Sequence, residues 1–198
     1  MCRFSLATLG TDNIKCGALL LDRLAREIGD KGLIAIFGGI NGIPVFMQRV
    51  QGVQMQAKLH PGIRSAGACY SEPKAEQVFA QMMNIRQAHP DLDGWAMVVD
   101  WVDFGRSATV DPPGKVKYAV VDPGVEAALR SIKEGYVQVL LVKGYYEWGH
   151  TSVDLLFDKI VNDKDPPSKF LTPDLTPVTR ENIEDFTTRW NAWMGKKE

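Results

Sequence analysis

Three charged residues stand where they could act on a ligand together. Arg49 lies one turn inside the helix introduced by FGGINGIPVF, Asp122 ends the apolar run VKYAVVD, and Lys143 ends YVQVLLV. A guanidinium donates several hydrogen bonds in a fixed fork, a carboxylate accepts two in a plane, and an ammonium only donates. Converging on one cleft, an Arg and an Asp suit sugar hydroxyls. For each residue taken alone, a structural ion pair explains it as well. Aromatic residues crowd the same stretches: Trp95, Trp101, Phe104, Tyr145, Tyr146 and Trp148. Their rings could stack on the apolar face of a sugar ring, although ordinary core packing is the plainer explanation. Trp101 is the strongest candidate, and Trp95 falls inside a predicted strand.

Catalytic and cofactor signatures do not accompany them. The glycines at 38, 39 and 42 follow a strand, but their pattern is GGxxG, neither a Walker loop nor GxGxxG, and a tight turn is the simpler meaning. There is no GxSxG, no HExxH and no Cys with a placed His partner, so no catalytic residue is assigned and an enzyme is not expected. The three cysteines, Cys2, Cys16 and Cys69, have no metal spacing, and His60, His89 and His150 are far apart; no metal and no cofactor are expected.

These residues need elements to position them. Short apolar runs recur, LATLG, LIAIFGG, IRSAGACY, WAMVV, VKYAVVD and YVQVLLV, without strict alternation and bounded by Gly, Pro or Asp. That pattern suits parallel strands buried on both faces. Helical stripes lie between them: Ile14, Ala18, Leu21, Ala25 and Ile28; Ala75, Val78, Phe79 and Met82; Val125, Ala128, Leu129 and Ile132. The fold class predicted is α/β, an open, mainly parallel sheet with helices on both faces, a Rossmann-like or flavodoxin-like lobe. Ligands bind such sheets beyond the carboxyl ends of the strands, here 11–13, 38–45, 70–73, 100–103, 122–124 and 143–146. A helix over about 148–161, a double proline at 166 and 167, and a last helix over about 181–194 complete the reading.

With 198 residues the chain can bury a sizeable core. Its formal net charge of −1 offers nothing to nucleic acid or an anionic membrane. No apolar run approaches the roughly 20 residues that span a bilayer, and the first residues do not form a signal peptide.

The segments GTDNIKCG, QRVQGV, AHPDLDGW, the long stretch VVDPGVEAALRSIKEGYVQVLLVKGYYEWGHTSVDLLFDKI and LTPVTRENIEDF, in that order, resemble the type I periplasmic sugar-binding proteins of ABC transporters, of the ribose- and glucose-binding type. Their fold is shared with the ligand-binding half of lactose-repressor-type regulators. The resemblance runs from about 9 to 186 and covers the family's second lobe only.

The resemblance implies two α/β lobes with a sugar between them, of which this chain supplies the carboxy-terminal one over 1–144. Residues 145–198 then form the returning helix, proline-rich link and terminal helix that cross back toward the amino-terminal lobe, which lies outside the chain with any secretion signal. A periplasmic or lipid-anchored extracellular location follows, and an ABC permease as partner of the intact protein. Arg49 stands where the family places a sugar-binding arginine, and Asp122 where it places an aspartate. Lys143 replaces a frequent glutamine, so a donor-only group meets the ligand there. Val99 and Asp100 stand for a frequent Asn-Asp, leaving Asp100 or Trp101 to supply that contact, and Pro73 falls near a position that is often aromatic. A monosaccharide or small sugar is the expected ligand, bound weakly or undetectably by half a cleft. The stripe Val153, Leu156, Ile160 and Val161 lacks its lobe, and is expected to fold back or to pair with another copy through the helix at 148–161. The alternatives are the sensing half of a lactose-repressor-type regulator, a flavodoxin-like enzyme, and a lone lobe that mediates interactions without binding ligand.

Overall fold

Apolar runs and helical segments alternate as the sequence predicts. The computed structural model describes residues 5–99, 111–121 and 125–196. In chain order the elements are β1 (Thr8–Leu9), α1 (Asn13–Glu27), β2 (Gly32–Phe37), α2 (Pro44–Ala57), β3 (Ile63–Cys69), α3 (Ala75–Ala88), β4 (Gly94–Met97), β5 (Lys117–Val121), α4 (Val125–Glu134), β6 (Val139–Val142), α5 (Tyr145–Asn162), β7 (Phe170–Leu171), β8 (Thr176–Val178) and α6 (Ile183–Trp193). They fall into two units, a larger one of Asn13–Val142 with Pro177–Glu198 and a smaller one of Met1–Asp12 with Lys143–Thr176.

The larger unit is built on a sheet of order β3-β2-β4-β5-β6-β8. The four ladders joining β3, β2, β4, β5 and β6 are all parallel. The chain steps outward from β2 to β3, then returns across β2 to place β4 on its other side, so the order reverses between β2 and β4. Parallel neighbours need crossover connections, and α2, α3 and α4 supply those described.

Successive strand side chains point to opposite faces. Leu33, Ala35, Phe37, Trp95, Met97, Tyr118 and Val120 share one core with Val78 and Met82 of α3, Ala128, Leu129 and Ile132 of α4, and Ile183 and Phe186 of α6. The alternate residues, Ile34, Ile36, Ala96, Ala119 and Val121, are equally buried. They belong to the other face, where α1 packs on β4, β5 and β6 and against α2. Helices therefore cover both faces, and Ala128, Leu129 and Ile132 of the α4 stripe are buried as their spacing predicts. Other expectations change. Of the α3 stripe only Val78 and Met82 are buried, while Phe79 is exposed and Ala75 half-buried. Helix α1 buries Cys16, Gly17, Leu20, Leu21, Leu24 and Ala25, whereas Ile14 is exposed and Ala18 only half-buried. Strand β3 is paired on one side alone, by β2, and its middle residues are exposed or half-buried.

The first apolar run, LATLG, does not join this sheet. Its strand β1 pairs in parallel with β7, Thr8 opposite Phe170 and Leu9 opposite Leu171. This two-residue ladder in the smaller unit is held by Thr8 N–H to the Lys169 carbonyl at 2.9 Å and Gly10 N–H to the Leu171 carbonyl at 3.0 Å. The 18-residue helix α5 has no buried residue. Val153, Leu156, Phe157, Ile160 and Val161 are 52–79% exposed along it. Among the described residues, no helix is long and apolar enough to cross a membrane.

Candidate functional site

Arg49 is brought to the carboxyl edge of the sheet by a turn, a helix start and a close helix crossing. Gly39 (φ +71°) and Gly42 (φ +83°) carry the chain off β2, and Pro44 opens α2 with the fixed φ a first helical turn needs. Helix α2 then presses against α1 backbone to backbone. A Cβ on Gly17 would lie 1.9 Å from the Arg49 carbonyl oxygen, and one on Gly52 would lie 2.1 Å from the Ile14 carbonyl oxygen. Only glycine at both positions permits that approach. It also explains the turned face of α1, since the side of α1 toward α2 needs no large side chain to be covered.

The crossing sets Arg49 beside the start of α1. Its side chain is buried, 5% exposed. Nε donates to Asn13 Oδ1 at 2.9 Å, and Nη1 donates to the Val98 carbonyl at 2.8 Å. The guanidinium carbon lies 5.9 Å from the Phe46 ring centroid. Val98 directly follows β4, and its own N–H donates to the Phe37 carbonyl at the end of β2, at 3.0 Å. Arg49 therefore stands where the strand order reverses, the crevice in which open α/β sheets bind ligands. Among the described residues no carboxylate pairs with it and its Nη2 amino group has no hydrogen-bond partner. A buried guanidinium carries a desolvation penalty of several kcal/mol unless its charge and donors are met. The arrangement is a rigid cationic donor ready for oxygen acceptors.

Tyr70 follows β3 at the same edge, with its ring against the backbone of Gly38, where an added Cβ would come within 2.3 Å of it. Burial, and secondarily Cys69, raise its phenol pKa, so it stays a neutral donor and acceptor at physiological pH. Trp95 lies fully in the core and offers no ligand surface.

Lys143 opens the smaller unit. Its Nζ donates to the Tyr145 hydroxyl at 3.1 Å and stands 5.4 Å from that ring's centroid. Tyr145 meets Trp148 edge to face at 5.3 Å. The lysine is thus held by the first turn of α5, among the aromatic residues the sequence singled out. Asp122, Asp100, Trp101 and Phe104 lie outside the described residues.

Two features escaped the sequence. Asn13 is assigned no contact there, while in the fold its amide oxygen accepts from Arg49 and orients it. Gly17 and Gly52 are assigned none either, while in the fold they fix the crossing. Their one visible signal is a glycine inside each of two consecutive amphipathic segments. Among the described residues, no group of His, Cys, Asp and Glu could hold a metal ion.

A family model described as "Periplasmic binding protein domain" matches residues 5–164. Among solved structures, the fold is similar to a periplasmic ribose ABC transporter protein from Conexibacter woesei, with a TM-score of 0.84 at 20% identity over 96% of this chain and 65% of that one. It is similar to an ABC transporter periplasmic solute binding protein from Actinobacillus succinogenes with bound D-allose, with a TM-score of 0.79 at 25% identity over 90% of this chain and 63% of that one. A solute binding protein from Agrobacterium vitis bound with alpha-D-tagatopyranose gives 0.77 at 21% identity, over 94% and 63%. The chain therefore spans less than two thirds of the length of each. No curated protein matches it.

Proposed function

This chain belongs to the periplasmic binding protein domain family, and from that membership we propose that it is the carboxy-terminal lobe of the sugar-binding component of an ABC importer. The observation that carries the proposal is Arg49: buried, held by Asn13 and Val98 at the point where strand order reverses, with its Nη2 donors unmet among the described residues. A sugar hydroxyl or ring oxygen is a neutral acceptor that satisfies those donors, and the D-allose and tagatopyranose complexes among similar structures support that class of ligand. Arg49 and Asp122 anchor ring hydroxyls, Lys143 and Asp100 set the pattern recognised, and Trp101 stacks on the ring. The role is capture and release, with no bond of the sugar broken. An amino-terminal lobe completes the cleft and covers the exposed face of α5, and a membrane permease reads the closed form on the periplasmic or outer face of the cell. Where that lobe is lacking, the same face is open to a second copy.

Titrating the chain with D-ribose, D-allose and D-arabinose while following the backbone amide resonances of Val98 and Val99, beside Arg49, tests the reading. A saturable shift with at least one sugar, absent in Arg49→Met, is expected. No shift with any of them at tens of millimolar overturns it. Affinity is expected to be weak, because half a cleft leaves a sugar largely solvated; a micromolar dissociation constant in calorimetry would contradict the half-cleft assignment.

A further inference from the structure

The edge of the sheet opposite Arg49 carries a second cavity, of about 660 Å³. It lies wholly within the larger unit, at the amino-terminal ends of β5 and β6. Its walls come from the end of α1, the loop before β5, the end of α4 and the turn after β8. The volume falls in the range of small-molecule sites, and the charges within it are sorted by depth. Arg23 on α1 and Lys117 at the start of β5 are half-buried, while the cavity's carboxylates, Glu27, Glu134 and Glu181, are exposed. Two exposed cations, Arg26 and Arg180, also line it.

Among the described residues, none of the four cations forms an ion pair or a side-chain hydrogen bond. Arg86, also half-buried, is by contrast paired: it lies 3.0 Å from the buried carboxylate of Asp111 and donates to the His89 carbonyl. Arg23 and Lys117, both on rigid elements, are left partly desolvated in one cavity with no carboxylate at ion-pair distance among the described residues. That raises their energy and favours an anion that touches both.

The geometry points to a binding site for a small phosphate-bearing anion in this cavity, with Arg23 and Lys117 holding the phosphate oxygens and Arg26 and Arg180 drawing it in from the rim. Arginine takes two phosphate oxygens at once in its planar fork, and lysine adds a point charge. The site is independent of the sugar proposal, since it shares no residue with the Arg49 edge.

The test is titration of the whole chain with inorganic phosphate and with pyrophosphate, followed by calorimetry and by the thermal midpoint, against sodium chloride at matched ionic strength. Saturable binding that chloride does not reproduce is expected. It should weaken about tenfold or more in Arg23→Gln/Lys117→Gln and persist in Arg49→Met. Should the inner double variant misfold, Arg26→Gln/Arg180→Gln, altered only at exposed positions, should still bind with about threefold weaker affinity and a shallower salt dependence. Phosphate behaving like chloride, or binding unchanged in Arg26→Gln/Arg180→Gln and in any folded inner double variant, overturns the site.

Discussion

The two units of this protein are made of the same kinds of residue and are finished to different degrees. In the larger, every strand of the sheet but the two at its edges, β3 and β8, has a neighbour on each side, both faces are covered, and Leu20, Leu21 and Leu24 of α1 are completely buried. In the smaller, a helix of 18 residues buries none of them, and the accompanying ladder is two residues long. A two-stranded ladder and an amphipathic helix do not make an independent core, and a contiguous exposed apolar face marks an interface. The larger unit has a core covered on both faces, whereas the helix of the smaller keeps Val153, Leu156, Phe157, Ile160 and Val161 exposed.

Substitutions can break or sharpen that contrast. The largest effect is expected at the helix crossing: Gly52→Val, which drives a side chain into the Ile14 carbonyl, should destabilise the protein by about 4 kcal/mol or more in urea unfolding. Leu24→Ala, in the core on the α1 side, should cost about 3 kcal/mol. Asn13→Ala removes a charge-assisted hydrogen bond from a buried guanidinium and should cost about 1–2 kcal/mol. Arg49→Met in the same assay should be neutral or stabilising, because it removes a buried charge that no carboxylate pairs among the described residues. Across the contrast, Ile160→Ala on α5, where the side chain is 79% exposed, should change stability by less than about 0.5 kcal/mol. A large loss there would show that α5 is already covered within this chain. Amide hydrogen exchange should likewise be fast along α5 and slow in β2 and β4.

The smallest effect is invisible at neutral pH. Burial raises the thiol pKa of Cys69 from 9.0 to about 11. Its neutral form is the one the fold favours, so its contribution is whole below about pH 9 and is lost as the pH climbs toward about 11. At pH 8 about a thousandth of it is thiolate. Peptide mapping after brief alkylation should find Cys69 unmodified, whereas rapid labelling would show that the end of β3 opens readily.

Much of the larger unit was legible because its signals are local. The apolar runs that became β2, β4, β5 and β6 are bounded by turn residues, and Ala128, Leu129 and Ile132 fall on one face by spacing alone. The position of Arg49 at the carboxyl edge follows from a strand, a glycine turn and a helix start read in sequence. What stayed hidden depends on distant parts of the chain. Nothing within LATLG shows that it pairs with residues at 170–171, nor does IRSAGACY reveal that it forms the edge of a sheet. The stripe of α1 was placed one step off because a glycine reads as a missing side chain, although here it marks where another backbone arrives. Asn13 meets Arg49 across 36 residues, and a bond of that span leaves no periodicity to read. His60 likewise bridges Asp22 at 2.9 Å and Asp30 at 3.2 Å, tying together three segments whose charges look unrelated in the sequence.

The glycine crossing also has a consequence in time. Helices α1 and α2 flank a single strand, so their contact closes a short loop, which loses little chain entropy and forms early in folding. The bond from Arg49 to Asn13 belongs to that first event. The bond to Val98 spans 49 residues and must await the docking of β4 beside β2. Arg49 is therefore expected to be seized from one side before the other side exists, with Gly52 variants slowing refolding and Val98 variants mainly hastening unfolding.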